Sequence, residues 1–460
     1  SKDPGLDSND ELHEAVLKIT EKERERVRIV QEPIEATQDD YSTPVTTGVV
    51  LANRSGQPVA NAKGYVTYIL AGGSVFGIDA TEGNVLWRRF VGFETDVEPF
   101  PLSNLEGADA VAVDARRHEL LRLDARTGKL VWRLPLGEPF AAPAVSEKHL
   151  LVSTKSGKLL LIDPETGNCD RHAALPQAID VGAGVGRKRP QIYQIGEHDN
   201  LYALSAETLE CREVYYIGHK PGTVVVPPVM ALGYLFVVEN AAPDYALLHV
   251  IATDEDGLRL RAAQKSIRLQ GRVITTPIVS RRRILVVTDR RAIELYDVDP
   301  NNDAGTPVTS AARQSATSES PIVSHALLDR GYLWVANDRY AKLQVQASTG
   351  KLPREWVLDE KDIYVSPLRL VRDVVVSVHQ RQGTEGVTVS AMPVNEKEPM
   401  WRTELAVPIR QVRVDGDRIQ ALNNRGQLYD ISPDAIAAGQ ISQAAGLATK
   451  DPRQMLNLTS

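Results

Sequence analysis

The sequence predicts an all-β fold, a β-propeller of four-stranded blades, on three observations. Hairpin segments recur about every 45 residues along the chain. Each has a polar turn of one type between two apolar strands: Asp79 to Gly83, Asp124 to Gly128, Asp163 to Gly167 and, in weaker form, Ser205 to Leu209. Glycine there supplies positive φ, and Asp or Thr hydrogen-bonds the turn's own amides. Prolines introducing a second pair of strands stand at Pro58, Pro101, Pro143, Pro228, Pro277, Pro321 and Pro367. Their gaps are 43, 42, 85, 49, 44 and 46 residues, so the long gap holds one degenerate repeat near Val181. Four short strands per repeat describe a propeller blade.

Before the repeats, residues 1–44 read as a charged tether. Residues 8–31 are helix-compatible, with Leu12, Val16 and Ile19 on one face. Residues 45–431 are the propeller. Nine central hairpins are legible, the last at Arg418 to Tyr429, against the eight blades usual for such repeats. That last repeat lacks an outermost strand, which Val45 to Asn53 is expected to supply, joining the chain ends and removing exposed edges. Residues 432–460 read as a loosely packed tail.

Composition bounds the function. Net charge is −7 with a pI near 5.8, which argues against nucleic acid as a partner, because phosphate contacts need a concentrated basic surface. No apolar run approaches the roughly 20 residues that span a bilayer. The chain opens on Ser1-Lys2-Asp3-Pro4-Gly5 rather than methionine, so membrane association through a segment ahead of it is part of the expectation. Cys169 and Cys211 form no CxxC and no metal-ligand spacing.

The Ala-x-Asp-x-x-Thr-Gly-Lys-x-x-Trp form of the repeat resembles the pyrroloquinoline-quinone (PQQ)-like repeat of quinoprotein dehydrogenases and of the BamB-like outer-membrane assembly lipoproteins, over roughly residues 45–431. The resemblance implies that Trp87 and Trp132, with Trp356 and Trp401 as looser counterparts, dock each blade on the next. It also implies an extracytoplasmic compartment, periplasm or cell envelope. Quinoprotein dehydrogenases need a catalytic Asp, a calcium site and often a disulfide between adjacent cysteines. No such cysteine pair exists here and no motif places the Asp. Cys169 and Cys211 hold matching positions in the outer strands of successive blades, which diverge, so two free thiols are expected.

Other patterns are weaker. His198-Asp199 reads as a solvated turn, and the nine histidines match no metal spacing. Gly182-Ala-Gly184-Val-Gly186 lacks the Lys-Ser/Thr of a phosphate loop and reads as a crowded inner strand. Asp254-Glu-Asp256 with Asp244 lacks calcium-loop spacing. No catalytic, metal or cofactor-binding residue is assigned, and no cofactor is expected.

One charge pattern stands out. The turns between first and second strands carry Lys63, Lys148, Arg187, Lys188, Arg189, Arg281, Arg282, Arg283, Arg330 and Arg372. Turns between third and fourth strands emerge on the same face, further out, and are acidic. The expectation is a basic inner ring within an acidic rim, a candidate surface for an anionic peptide or polysaccharide. The leading functional reading is a non-catalytic, monomeric scaffold binding protein or peptide partners, possible roles including cell-envelope and outer-membrane protein assembly. The alternatives are a PQQ-dependent or other small-molecule enzyme with its site on the propeller axis, and a sensor or structural ectodomain of a membrane-anchored protein.

Overall fold

A computed structural model describes residues 4–40, 51–146, 148–186, 191–218, 220–302, 305–358, 362–381, 386–407, 409–416, 418–423, 428–431 and 442–443. The protein is an eight-bladed, all-β propeller. Its blades' central strands are mostly apolar, as strands covered on both faces are. Leu150–Ser153, for example, is buried at every position.

The chain divides into two compact units. One comprises residues 1–39, 113–122 and 130–357, and the other residues 40–112, 123–129 and 358–460. In the first unit, apolar clusters join blade to blade. Leu151 and Leu159 of the third blade meet Ile192 and Tyr202 of the fourth. Tyr193 and Leu201 then meet Leu235 and Ile251 of the fifth, and Phe236 and Leu248 meet Ile284 and Tyr296 of the sixth. Leu285 and Leu295 meet Leu333 and Leu343 of the seventh. The glycine-rich stretch forms the short inner strand Gly184–Val185, where a β-carbon on Gly184 would lie 2.4 Å from the Pro228 carbonyl oxygen. Crowding by the adjoining inner strand therefore requires that glycine.

In the second unit, the first blade has strands Val66–Ala71, Ser74–Asp79 and Val85–Phe90, and a 3-10 turn, Ala60–Ala62, stands where its inner strand is expected. The eighth blade runs from Asp362–Tyr364 and Arg369–Val371, two pieces of a split inner strand, through Val374–Arg381 and Val387–Pro393 to Trp401–Val407. These two blades share one core, with Ile69 and Phe76 packed among Val374, Val376, Trp401 and Leu405.

Nine sheets occur among the described residues. The ninth, built from Ile409–Asp415, Arg418–Asn423, Leu428–Ile431 and Ser442–Gln443, follows the eighth blade in sequence. It does not come between the eighth blade and the first, which pack directly together. The hairpin at Arg418 is therefore surplus to the eight blades.

Closure differs from expectation accordingly. Leu51–Gly56 adds antiparallel to Trp401–Val407, not to the last hairpin. Residues 45–50 lie outside the described residues, as does the expected tail apart from Ser442–Gln443.

The helix spans Pro4–Arg26, and at residue 28 the chain turns to strand. Arg28–Val30 adds to His172–Ala174 of the third blade, and Ile34 and Thr37 bridge to Cys169 and Arg133. Of the anticipated apolar face, Leu12 lies outside the residues whose side chains are described, Val16 is half-buried and Ile19 stands out to solvent. Ile19 is 54% exposed, while Thr20 is buried and Glu23 meets the Tyr202 hydroxyl at 3.3 Å. The helix lies on the outer strand Cys211–Tyr216, and Val27 joins the core beneath.

Both cysteines are free. Burial pushes their thiols up, Cys169 to about 11 and Cys211 to about 12, so little thiolate exists near neutral pH. Ellman's reagent should find two thiols in denatured, unreduced protein and label the native protein far more slowly. Fast labelling of both in the native state would contradict this burial.

Candidate functional site

The Trp side chains act at the turns. Trp87 Nε1 donates to the Ala125 carbonyl at 2.8 Å, Trp132 Nε1 to Pro164 at 2.9 Å and Trp401 Nε1 to Ala80 at 3.1 Å. Each acceptor is the residue after the turn Asp. Each indole also lies on the turn glycine, where a β-carbon on Gly128, Gly167 or Gly83 would fall 2.5 to 2.6 Å from ring carbons. The glycine is thus doubly specified, by left-handed φ and by the ring. Trp356 instead meets Tyr340 of its own blade edge-on, with ring centroids 5.3 Å apart.

The basic turns follow from hairpin geometry. Ser280 pairs with Arg283, Asp329 with Tyr332 and Val371 with Val374, leaving two-residue turns that call for positive φ at the first turn residue. Arginine occupies that position in all three, with φ of 56° at Arg281, 46° at Arg330 and 57° at Arg372. Left-handed backbone is costly for any residue with a β-carbon, and glycine or asparagine is the usual occupant.

The sixth and seventh blades bring four of these side chains to one cleft. Arg281, Arg282, Arg283 and Arg330 line a cavity of about 650 Å³ together with Asp297 and Asp329. Arg283 Nε holds Asp297 Oδ1 at 2.9 Å. Arg282 reaches Asp299 only at 3.9 Å, and Arg330 meets Asp329 at 3.5 Å. Arg282 and Arg330 are 60% and 68% exposed. Lys148 lines a different cavity in the same unit, about 1070 Å³, with His149, Arg171, Asp163, Glu165 and Asp170. In the other unit Arg372 lies 3.6 Å from Glu106 and 5.1 Å from the Tyr65 ring centre, while Lys63 is exposed. Arg187, Lys188 and Arg189 lie outside the described residues.

The outer acidic residues are committed to their own turns. Asp79 accepts the Thr81 amide, Asp124 the Arg126 and Thr127 amides, Asp163 the Glu165 amide and Asp254 the Leu258 amide. For Asp124, the Thr127 hydroxyl and these amides outweigh burial and hold the carboxyl below its ordinary range. Asp244 cannot join Asp254 at a cation, because the strand Tyr245–Thr253 separates them by roughly 30 Å at about 3.3 Å per residue. Among the described residues no three His, Cys, Asp or Glu side chains come together as a metal site.

Three polar arrangements were not legible in the sequence. Asp199 is 1% exposed, accepts a hydrogen bond from the Thr223 hydroxyl, and burial pushes its carboxyl up. The solvated-turn reading of His198-Asp199 therefore fails at Asp199, because the segment leading into the fifth blade packs on the turn at Thr223. Glu239 Oε2 meets His249 Nε2 at 2.8 Å, and His249 Nδ1 meets Ser266 Oγ at 3.0 Å. Glu239 and His249 are diagonal neighbours across one hairpin, a relation that appears only once the register Val237 to His249 is known. In the eighth blade Asp362 Oδ2 lies 2.6 Å from His379 Nδ1, and His379 Nε2 lies 2.9 Å from Ser390 Oγ. All three of these side chains are buried, so the set braces the split inner strand. Arg369 works alongside, donating to the Tyr68 and Pro99 carbonyls at 2.5 and 2.6 Å.

Comparison with known proteins agrees with this architecture. Residues 71–170 match the family model described as outer membrane protein assembly factor BamB. A search of curated proteins gives no match. Among solved structures, BamB from Moraxella catarrhalis aligns at 13% identity over 78% of this chain and 99% of its own, with a TM-score of 0.49. Dihydro-heme d1 dehydrogenase NirN aligns at 14% identity over 76% of each chain with a TM-score of 0.54. The C-terminal WD40 domain of Sif2 aligns at 11% identity over 78% of this chain and 97% of its own, with a TM-score of 0.52. The protein is thus an eight-bladed propeller whose residues 71–170 match the model of the BamB family of PQQ-like repeats, and which is similar in fold to other propellers.

Proposed function

We propose that the protein is a non-catalytic scaffold that binds extended protein or peptide segments in the cell envelope, in outer-membrane protein assembly. The observation that carries the reading is the cleft of about 650 Å³ formed by inner turns of two adjacent blades. It is a charged surface site on rigid hairpins rather than an apolar enclosure with a few converging polar groups, which is the usual form of a small-molecule pocket. Rigid β-hairpins presenting turns suit recognition of an extended chain. The match of residues 71–170 to an outer-membrane assembly factor supports the compartment and the class of partner. The scaffold acts as a monomer.

Fluorescence anisotropy with labelled peptides copying outer-membrane β-strands should give saturable binding. Thermal melting with PQQ and calcium in parallel should leave the midpoint unchanged. A rise of several degrees with PQQ and calcium and no peptide binding would replace this reading by a quinone enzyme, since a ligand stabilises only the state it binds.

A further inference from the structure

We infer that the cleft between the sixth and seventh blades reads carboxylates, taking an acidic, extended segment of a protein partner. The inference rests on the scaffold reading and adds the chemistry of the bound segment. Four guanidinium groups face two carboxylates there, Asp297 and Asp329, in a chain whose net charge is −7. The local sign is therefore opposite to that of the whole molecule, the arrangement that steers an anionic segment to one place.

The backbone supplies the second reason. Arg281 and Arg330 hold left-handed conformations at equivalent turn positions of adjacent blades. Neither turn needs an arginine for its geometry, and glycine would fill either without strain. Strain kept at an exposed position points to a use for the side chain. Internal pairing does not explain all of them. Arg281 has no partner among the described residues, and Arg282 lies beyond hydrogen-bond distance of Asp299. Guanidinium donors match a carboxylate in a two-pronged hydrogen bond.

The two carboxylates decide which anion is taken. Asp297 and Asp329 repel a dense polyanion such as polyphosphate. A peptide with spaced carboxylates meets the arginines and turns backbone amides toward the aspartates. The volume is within the range of ligand-sized cavities.

The test uses the purified full chain and fluorescein-labelled (Glu-Ala)5, with (Gln-Ala)5 as its neutral counterpart and inorganic polyphosphate as competitor. The variants are Arg281→Gly with Arg330→Gly together, and Arg372→Gly alone. Arg372→Gly relieves the same kind of turn, but its side chain is held by Glu106 and Tyr65. The glutamate peptide should bind at least ten times more tightly than the glutamine peptide. The double variant should lose at least tenfold, with its melting point retained, and Arg372→Gly should match the parent. Equal binding of the two peptides, or of parent and double variant, overturns the inference, as does polyphosphate displacing the peptide at lower anion concentration. If the strand-copying peptides of the scaffold test still bind in those cases, the scaffold reading stands and only the carboxylate reading falls. If they do not bind either, both fall.

Discussion

Replacing Trp401 by alanine should destabilise the protein by roughly 3–5 kcal/mol, the range for deleting a large buried aromatic side chain. The indole is fully buried in the core shared by the first and eighth blades. Its Nε1 donates to Ala80, and its ring covers Gly83, whose carbonyl also accepts from Thr403 Oγ1 at 2.5 Å. These contacts and the pairing of Leu51–Gly56, which leads on into the first blade, with Trp401–Val407 hold that junction. Trp401→Phe should fall between the two: it keeps most of the apolar area but leaves the Ala80 carbonyl without its donor, at a cost of about 1–3 kcal/mol. Gly83→Ala should also be costly, because the added carbon would lie 2.6 Å from the ring at a φ of +77°. Urea-unfolding midpoints of the three variants measure this. A loss below about 1 kcal/mol for Trp401→Ala would show that the junction is held elsewhere.

The repeat was legible because its determinants are local. A turn Asp capping its own amides, a turn glycine and a following Trp all lie within one hairpin, and an introductory proline stands just ahead of most inner strands. The number of blades was not legible, because a hairpin in the sequence does not state its neighbours. Nine hairpins are present, yet the eighth packs on the first and the ninth is left over. Which strand receives the N-terminal segment is likewise a long-range pairing, here Gly56 with Trp401. The helix was recognised but its buried side was not. About half its residues are charged, and the contacts come from Thr20 and Glu23, with Val27 just past its end, which carry a weaker pattern than Leu12, Val16 and Ile19.

The candidate cleft was half legible. Spacing placed Arg281 to Arg283 and Arg330 on turns of one kind, but their convergence depends on two adjacent blades having hairpins of equal length. The acidic rim was misread in one respect, since alternation of charge cannot tell a free carboxylate from one that caps its own turn, as Asp124 and Asp163 do. Asp297 departs in the other direction, pairing with Arg283 inside the cleft. The Asp362–His379–Ser390 set spans 29 positions in sequence and is joined only by strand register, which no spacing rule reveals.

Acid should destabilise the parent protein more steeply between pH 6.5 and 4 than a His325→Gln variant. Burial of His325 on the inner strand of the seventh blade pushes its imidazole down to about 4 from the ordinary 6.5. The unfolded chain therefore takes up the proton first as pH falls. Stability from the neutral imidazole is intact above pH 6.5, declines by about 1.4 kcal/mol per pH unit below it, and levels off near pH 4. The full contribution is on the order of 3 kcal/mol by that slope. Other groups overlap this window with either sign. Burial also lowers His172, whereas it raises Glu98 and Asp199, whose protonation favours the folded state as pH falls. Asp362 is different: burial alone would raise it, but His379, Arg381 and Arg402 hold it down, so its contribution is lost only below the ordinary carboxylate range. All of these are common to parent and variant. The difference between the two proteins, measured by urea unfolding at pH 7 and pH 4.5, isolates the imidazole. Parallel losses in parent and variant would mean that His325 takes up its proton in the folded state as readily as in the unfolded one, and that the seventh blade opens its inner strand to water.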